Sequence, residues 1–315
     1  MTTSIVRTLA SSLNRVLHTF NLHISRYSTY QWVAQRSWDP KDIEALTLSA
    51  AQQLARAGDR SRAEIEAELA TASWYHTYEI LPGIMTPGRS EFNAKALLDQ
   101  NDIPQDLSGK KALDIGAWDG PLSFELERRG AEVTALDIQY PDNTGFNVAK
   151  RILNSRVRYI QASVYDLTTV LKEKFDLICF LGVFYHLKHP IYAFEQIASA
   201  LARDGLVLFG GECLLQYAET LKGDPSPVDI KKIAASDVPV ALCYPGRYKN
   251  ASNWFVPNVA CLRSWMQACG LEMIGYETTM PGPTTFPVQR IHGAARKVSD
   301  LASTEEHTIY QKNWG

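Results

Sequence analysis

The stretch Ala112–Asp137, "ALDIGAWDGPLSFELERRGAEVTALD", decides the fold. It opens on a short apolar run, turns through two glycines, continues with helical spacing and ends on a second apolar run closed by a carboxylate. Strand, glycine turn, helix and strand in that order are the signature of a parallel βαβ unit. Working outward, strand signals recur at Val157–Gln161, Phe175–Phe180 and Leu206–Phe209. Helices are predicted over Pro121–Arg129, Phe146–Ser155 and Ile191–Ala202. A further helix over Asn258–Cys269, stopped by Gly270, precedes two consecutive strands, Glu272–Thr278 and Gln289–Val298. Two strands with no helix between them predict an antiparallel hairpin at the edge of an otherwise parallel sheet.

Upstream of this unit the pattern differs. Residues 39–73 read as one or two helices, and Trp74–Gly88, "WYHTYEILPGIMTPG", reads as a Pro/Gly-punctuated loop before a helix over Glu91–Asp99. Residues 1–38 hold Arg7, Arg15, Arg26 and Arg36 and no acid. Three readings compete there: a helix packed on the main domain or on a dimer partner, which is preferred, a basic helix lying on a membrane surface, and a transit peptide. The expected organisation is an N-terminal helical extension over 1–73 and a catalytic domain over 74–315, with an insertion at about 213–256 where the alternation stops.

The chain has 315 residues, 45% of them hydrophobic, and a formal net charge of −2. That composition supports a packed core and gives no global pull toward nucleic acid or anionic lipid. Five cysteines without CxxC spacing read as reduced, mostly buried thiols of a cytoplasmic protein, with no metal site. No apolar run is long enough to span a bilayer.

The glycine turn identifies the ligand class. A dinucleotide fingerprint needs glycine where this chain has Trp118 and Pro121. Trp118 obstructs a pyrophosphate, and Asp114 and Asp119 repel one. Carboxylates suit a cation instead, and S-adenosylmethionine carries a sulfonium and an ammonium but no phosphate. Gly116 and Gly120 permit a tight turn under its amino-acid part. Asp114 is placed near the ammonium, Asp137 at the second strand end for the ribose hydroxyls, and Asp166 after the third strand for the adenine amino group. Trp118, Ile138, Ser163 and Val164 complete the candidate donor contacts.

These motifs resemble those of the class I S-adenosylmethionine-dependent methyltransferases. The resemblance is stronger to the branch containing the bacterial tRNA wobble-uridine carboxymethyltransferase and its small-molecule methyltransferase relatives. It covers about residues 74–298 and is most specific in "FDLICFLGVFYHLKHP" and "YPGRYKNASNWFVPNVACLRSWMQACG". It implies an α/β, Rossmann-like seven-stranded sheet with an antiparallel last strand. It also implies Leu181 and Tyr185 beside the donor sulfonium and Arg290 near the transferable group. His76 falls where carboxymethyl-transferring relatives have a lysine for the extra carboxylate. Their further Trp and Lys are not evident in "TPGRSEFNAKALL", so a plain methyl donor is expected.

Methyl transfer needs alignment above all, and a base only when the acceptor is a hydroxyl or a protonated amine. His76, His186 and Glu212 are the base candidates, with a lid role competing for His76, a turn-holding role for His186 and a solvent-facing position for Glu212. Tyr185 is expected to contact the sulfonium. Trp74 and Tyr75, in the same aromatic segment as His76, and Glu212 are candidate acceptor contacts. Arg247 and Tyr248 either line the acceptor pocket or lie on the surface, and Trp254 either stacks on an acceptor ring or packs in the core. The expected partner is a small-molecule acceptor, such as a sugar, a lipid-linked intermediate or a secondary metabolite. A tRNA substrate is the alternative, and the helical extension allows a homodimer. The expected location is cytoplasmic, with peripheral membrane association through the N-terminal segment as the variant.

Overall fold

The computed structural model describes residues 60–218, 228–244, 253–279 and 289–299. The readings of residues 1–59 therefore lie outside the described residues. Seven strands form the main sheet: β1 Lys111–Ile115, β2 Glu132–Asp137, β3 Arg158–Gln161, β4 Phe175–Leu181, β5 Leu201–Glu212, β6 Leu271–Thr279 and β7 Arg290–Lys297, in the order β6-β7-β5-β4-β1-β2-β3. The helices are α1 Arg62–Leu69, α2 Ala94–Gln100, α3 Pro121–Arg128, α4 Phe146–Ile152, α5 Leu167–Val170, α6 Pro190–Ala200, α7 Lys231–Ala234 and α8 Val259–Ala268. β1 to β5 run parallel, and β7 is antiparallel to both neighbours.

Alternating side chains along each central strand feed two separate cores, as the two-residue period of a strand requires. Ala112, Leu177, Cys179 and Leu208 face one core, built with α1, α2, α3 and α4. Leu113, Ile115, Ile178, Phe180, Val207 and Phe209 face the other, built with α5, α6 and α8. Phe146, Phe180, Phe194 and Phe209 are fully buried between sheet and helices. Each contributes about 1.5–3 kcal/mol relative to exposure. Four of the five cysteines are buried and all are free, and burial pushes the Cys269 thiol up to about 12, so these are packing residues.

The antiparallel hairpin expected at the sheet edge is present, with β6 outermost and the last strand, β7, between β6 and β5. Several other expectations need correction. Ala202 belongs to β5, because the chain leaves α6 in extended conformation at Leu201. α4 ends at Ile152, with Asn154 in the left-handed region at φ 46°. The segment after Trp74 is a set of short strands rather than a loop: His76–Thr77 pairs in parallel with Ser90–Glu91, and Glu79–Leu81 forms a hairpin with Ile84–Met85. α1 places Ile65 and Leu69 in the core shared with α3 and α4, so the packed domain reaches upstream of residue 74.

The described parts of the insertion have their own small core of Leu214, Ala234, Tyr244 and Val256. Two side chains tether it. Asn258, fully buried, caps α8 through the Cys261 amide and binds the backbone of Val238 and Val240. The Gln289 amide oxygen accepts from the Leu215, Gln216 and Tyr217 amides, while its nitrogen donates to the Tyr217 carbonyl at 2.7 Å. Among the described residues no helix is long and apolar enough to cross a membrane.

Candidate active site

Because β1 to β5 are parallel, their carboxyl ends lie along one end of the sheet. The chain order reverses between β1 and β4, and the crevice opened there is where sheets of this kind take ligands. Gly116 follows β1 with φ +81°, and a Cβ on it would sit 2.4 Å from the Val183 methyl after β4. Only glycine allows that approach. Trp118 adopts the left-handed conformation at φ 48° without being glycine. Its amide donates to the Asp137 carboxylate at 2.9 Å, and its carbonyl accepts from the Thr144 hydroxyl at 2.9 Å. Such strain persists only where surrounding contacts hold it, and it concentrates at functional sites.

Two buried carboxylates face this loop. Asp114, at 4% exposure, accepts from the Ser123 hydroxyl at 2.6 Å. Burial is the main cause that pushes its pKa up to about 6; the Asp137 charge adds to the rise, and Ser123 and His76 oppose it. Burial raises Asp137 as well, against the Gln139 and Trp118 amides that its two oxygens accept. Each Asp137 oxygen still has a lone pair for a further donor. Ile138 is exposed beside it, while Val164 is buried. Ser163 caps the turn Val164–Asp166, leaving the Asp166 side chain in solvent.

A second group closes the crevice from the Trp74 segment. The fully buried Asp119 carboxylate accepts the Tyr75 and His76 amides, each at 2.8 Å, and bonds to Nδ1 of the His76 ring. The Tyr75 ring lies 5.9 Å from the Trp118 ring, with the Arg89 guanidinium 5.1 Å from its own centre. Burial raises the Tyr185 phenol; Arg290 acts against that, and Glu212 and Tyr75 lie close enough to add to it. Arg290 stands directly across from Glu212 in the β7–β5 register. Leu181, half-buried at the end of β4, packs close to Gly210.

The structure thus brings together Asp114, Gly116, Trp118, Gly120 and Asp137, and gathers Tyr75, Tyr185, Glu212 and Arg290. Others stand apart. Trp74 is buried, donates its indole N–H to the Leu69 carbonyl at 2.7 Å and packs on Gly145, which is a core position. Trp254 is half-buried under the Lys188 ammonium, 4.4 Å from its ring centre, and its amide binds the Tyr185 carbonyl at 2.8 Å. The His186 ring lies 4.2 Å from Tyr185, and its amide donates to the Val183 carbonyl, so the residue helps to hold the turn. Arg247 and Tyr248 lie outside the described residues. Ser123, which bonds to Asp114, is a candidate site residue that the sequence reading missed; Asp119 was read there only as loop charge, because it binds a segment 43 residues away, which local pattern cannot reveal.

Comparison with known proteins fits this geometry. Residues 89–222 match the family model described as a methyltransferase domain. The tRNA U34 carboxymethyltransferase of Pseudomonas paraeruginosa is 31% identical over 168 residues, 52% of this chain and 46% of that protein. The protein of the same name from Colwellia psychrerythraea is 29% identical over 204 residues, 64% of this chain and 55% of that protein. The chain spans about half the length of these curated relatives. Among solved structures, the N-terminal domain of EvdMO1 with SAH bound has a TM-score of 0.50 at 16% identity, covering 76% of this chain and 98% of that one. At that identity the likeness is one of fold.

Proposed function

We propose, from the match of residues 89–222 to a family model described as a methyltransferase domain, that the chain transfers a methyl group from S-adenosylmethionine to an oxygen or nitrogen of a small molecule. The observation that carries this reading is the crevice between β1 and β4. A glycine turn too cramped for a side chain lies beside two buried carboxylates, Asp114 and Asp137. That donor set fits an ammonium and a pair of ribose hydroxyls and disfavours phosphate. When bound, the donor supplies a methyl carbon activated on a sulfonium, with a neutral thioether as the leaving group.

The chain's own residues then have defined tasks. Asp114 takes the ammonium, Asp137 the ribose, and Ile138 and Val164 cover the adenine, with Asp166 at the rim. Tyr185, Leu181 and Arg290 bound the transferring side. Correct alignment of acceptor and methyl can supply about 7–11 kcal/mol of the barrier. Calorimetry with S-adenosylhomocysteine tests the reading. Binding to the wild type and none to Asp137→Ala is expected; tight NAD binding with no heat from the adenosyl thioether would overturn it.

A second reading is favoured by the names of the curated relatives, which are tRNA U34 carboxymethyltransferases. Against carboxymethyl transfer stands His76, at the position aligned with a lysine. Its ring is already committed to the buried Asp119 carboxylate and offers an extra carboxylate less positive charge than a lysine does.

A further inference from the structure

His76 and Asp119 are joined more closely than a chance surface pair. Asp119 has no exposed side-chain surface, while the His76 ring keeps 19% of its own. One Asp119 oxygen takes both backbone amides of the Tyr75–His76 step, and the other faces Nδ1. The ring is walled by Tyr75 at 4.8 Å and Phe92 at 5.1 Å. It also lies within electrostatic reach of Asp114 on the donor loop. Among the described residues Nε2 has no hydrogen-bond partner.

We propose that Asp119 is a positioning residue that holds His76 as the Nδ1–H tautomer, leaving Nε2 as the base for a hydroxyl acceptor. The inference rests on the methyl-transfer reading and narrows its acceptor class. A buried carboxylate can accept an N–H but cannot donate one while ionised, so it selects the tautomer whose Nδ1 carries the proton. The acceptor oxygen forms its bond to the methyl carbon while its proton passes to Nε2. The electron pair of the broken carbon–sulfur bond stays on sulfur. The imidazolium then releases the proton to water, so one proton leaves per transfer. An acceptor amine already free of its extra proton needs no such base; a neutral hydroxyl does.

Asp119→Asn separates tautomer from shape. The amide oxygen can keep the Tyr75 and His76 amides, but the amide nitrogen then donates to Nδ1 and forces the proton onto Nε2. The test is nitrogen-15 NMR of the full-length protein with labelled histidine at about pH 8, above the ordinary histidine pKa. The His76 signals are those missing from His76→Gln. The wild type is expected to show a protonated Nδ1 and a bare Nε2, and Asp119→Asn the reverse. A wild-type Nε2 that carries a proton at this pH overturns the proposal, as does a tautomer unchanged in a folded Asp119→Asn. If that variant does not fold, the wild-type spectrum decides alone. S-adenosylhomocysteine calorimetry on the same samples reports on the donor site separately. Loss of that binding with the tautomer intact sinks the methyl-transfer reading and not the dyad.

Discussion

At the residue scale, Asp114 ties the chemistry of the site to pH. Its folded pKa of about 6 lies above the ordinary 3.8, so the folded chain binds this proton more readily than the unfolded chain does. Asp114 therefore stabilises the fold at acid pH, and that contribution falls as pH rises from 3.8 through about 6. On the proposed reading a cationic donor works in the opposite sense, because its ammonium would favour the ionised carboxylate. S-adenosylhomocysteine affinity is expected to rise between about pH 5 and pH 7 and then level off. In Asp114→Asn it should be weaker at neutral pH and flatter across that window. Calorimetric titrations of both proteins at several pH values check this, and parallel curves would remove Asp114 from the ammonium site. Gly116 carries a second prediction. Gly116→Ala should cost about 1–2 kcal/mol for the left-handed backbone alone, and more for the clash with Val183. Val183→Ala in the same chain should recover part of that clash. Chemical denaturation of both single variants and the double variant measures the coupling, and zero coupling would mean that Val183 is not what Gly116 makes room for. The charged members of this site were legible in the sequence, since a carboxylate just past an apolar run is visible locally. Asp119 was visible too, but only as charge beside the loop; its partners fold in from another segment.

At the scale of elements, alternation and punctuation carried most of the reading. The strands around Ala112, Glu132 and Phe175 coincide with their apolar runs, because both faces of the sheet are covered and the runs are nearly continuous. Two features were not legible. Strands of two or three residues between Trp74 and Glu91 are too short for any period to emerge. The place of β7 between β5 and β6 is a choice among sheet edges, which no local pattern specifies. The insertion is likewise held by long-range polar tethers. Gln289→Ala frees three amides and a carbonyl at Leu215–Tyr217. The expected loss is about 1–3 kcal/mol. Hydrogen exchange should accelerate at residues 215–217 first, with the amides of β4 unchanged. Exchange left unchanged at 215–217 would show that other contacts hold the insertion in register.

At the scale of the whole molecule, charge separates the two classes of acceptor. The 32 basic and 34 acidic side chains leave a formal net charge of −2. An enzyme that grips tRNA must neutralise several phosphates, and the affinity so gained falls steeply with salt. Within the described residues Arg89 and Lys188 lie over aromatic rings, Arg290 stands across from Glu212, and several others are spent on acids of the same chain, as Arg128 is on Glu125 and Arg296 on Glu272. A small acceptor asks for no phosphate-tracking groove. Bulk tRNA is therefore expected to show no mobility shift with the full chain even at about 50 mM salt, where phosphate contacts are strongest. A shift present there and lost by about 200 mM would carry the signature of counterion release. It would transfer the acceptor from the small-molecule class to tRNA, while leaving the proposed donor crevice between β1 and β4 and its carboxylates as they stand.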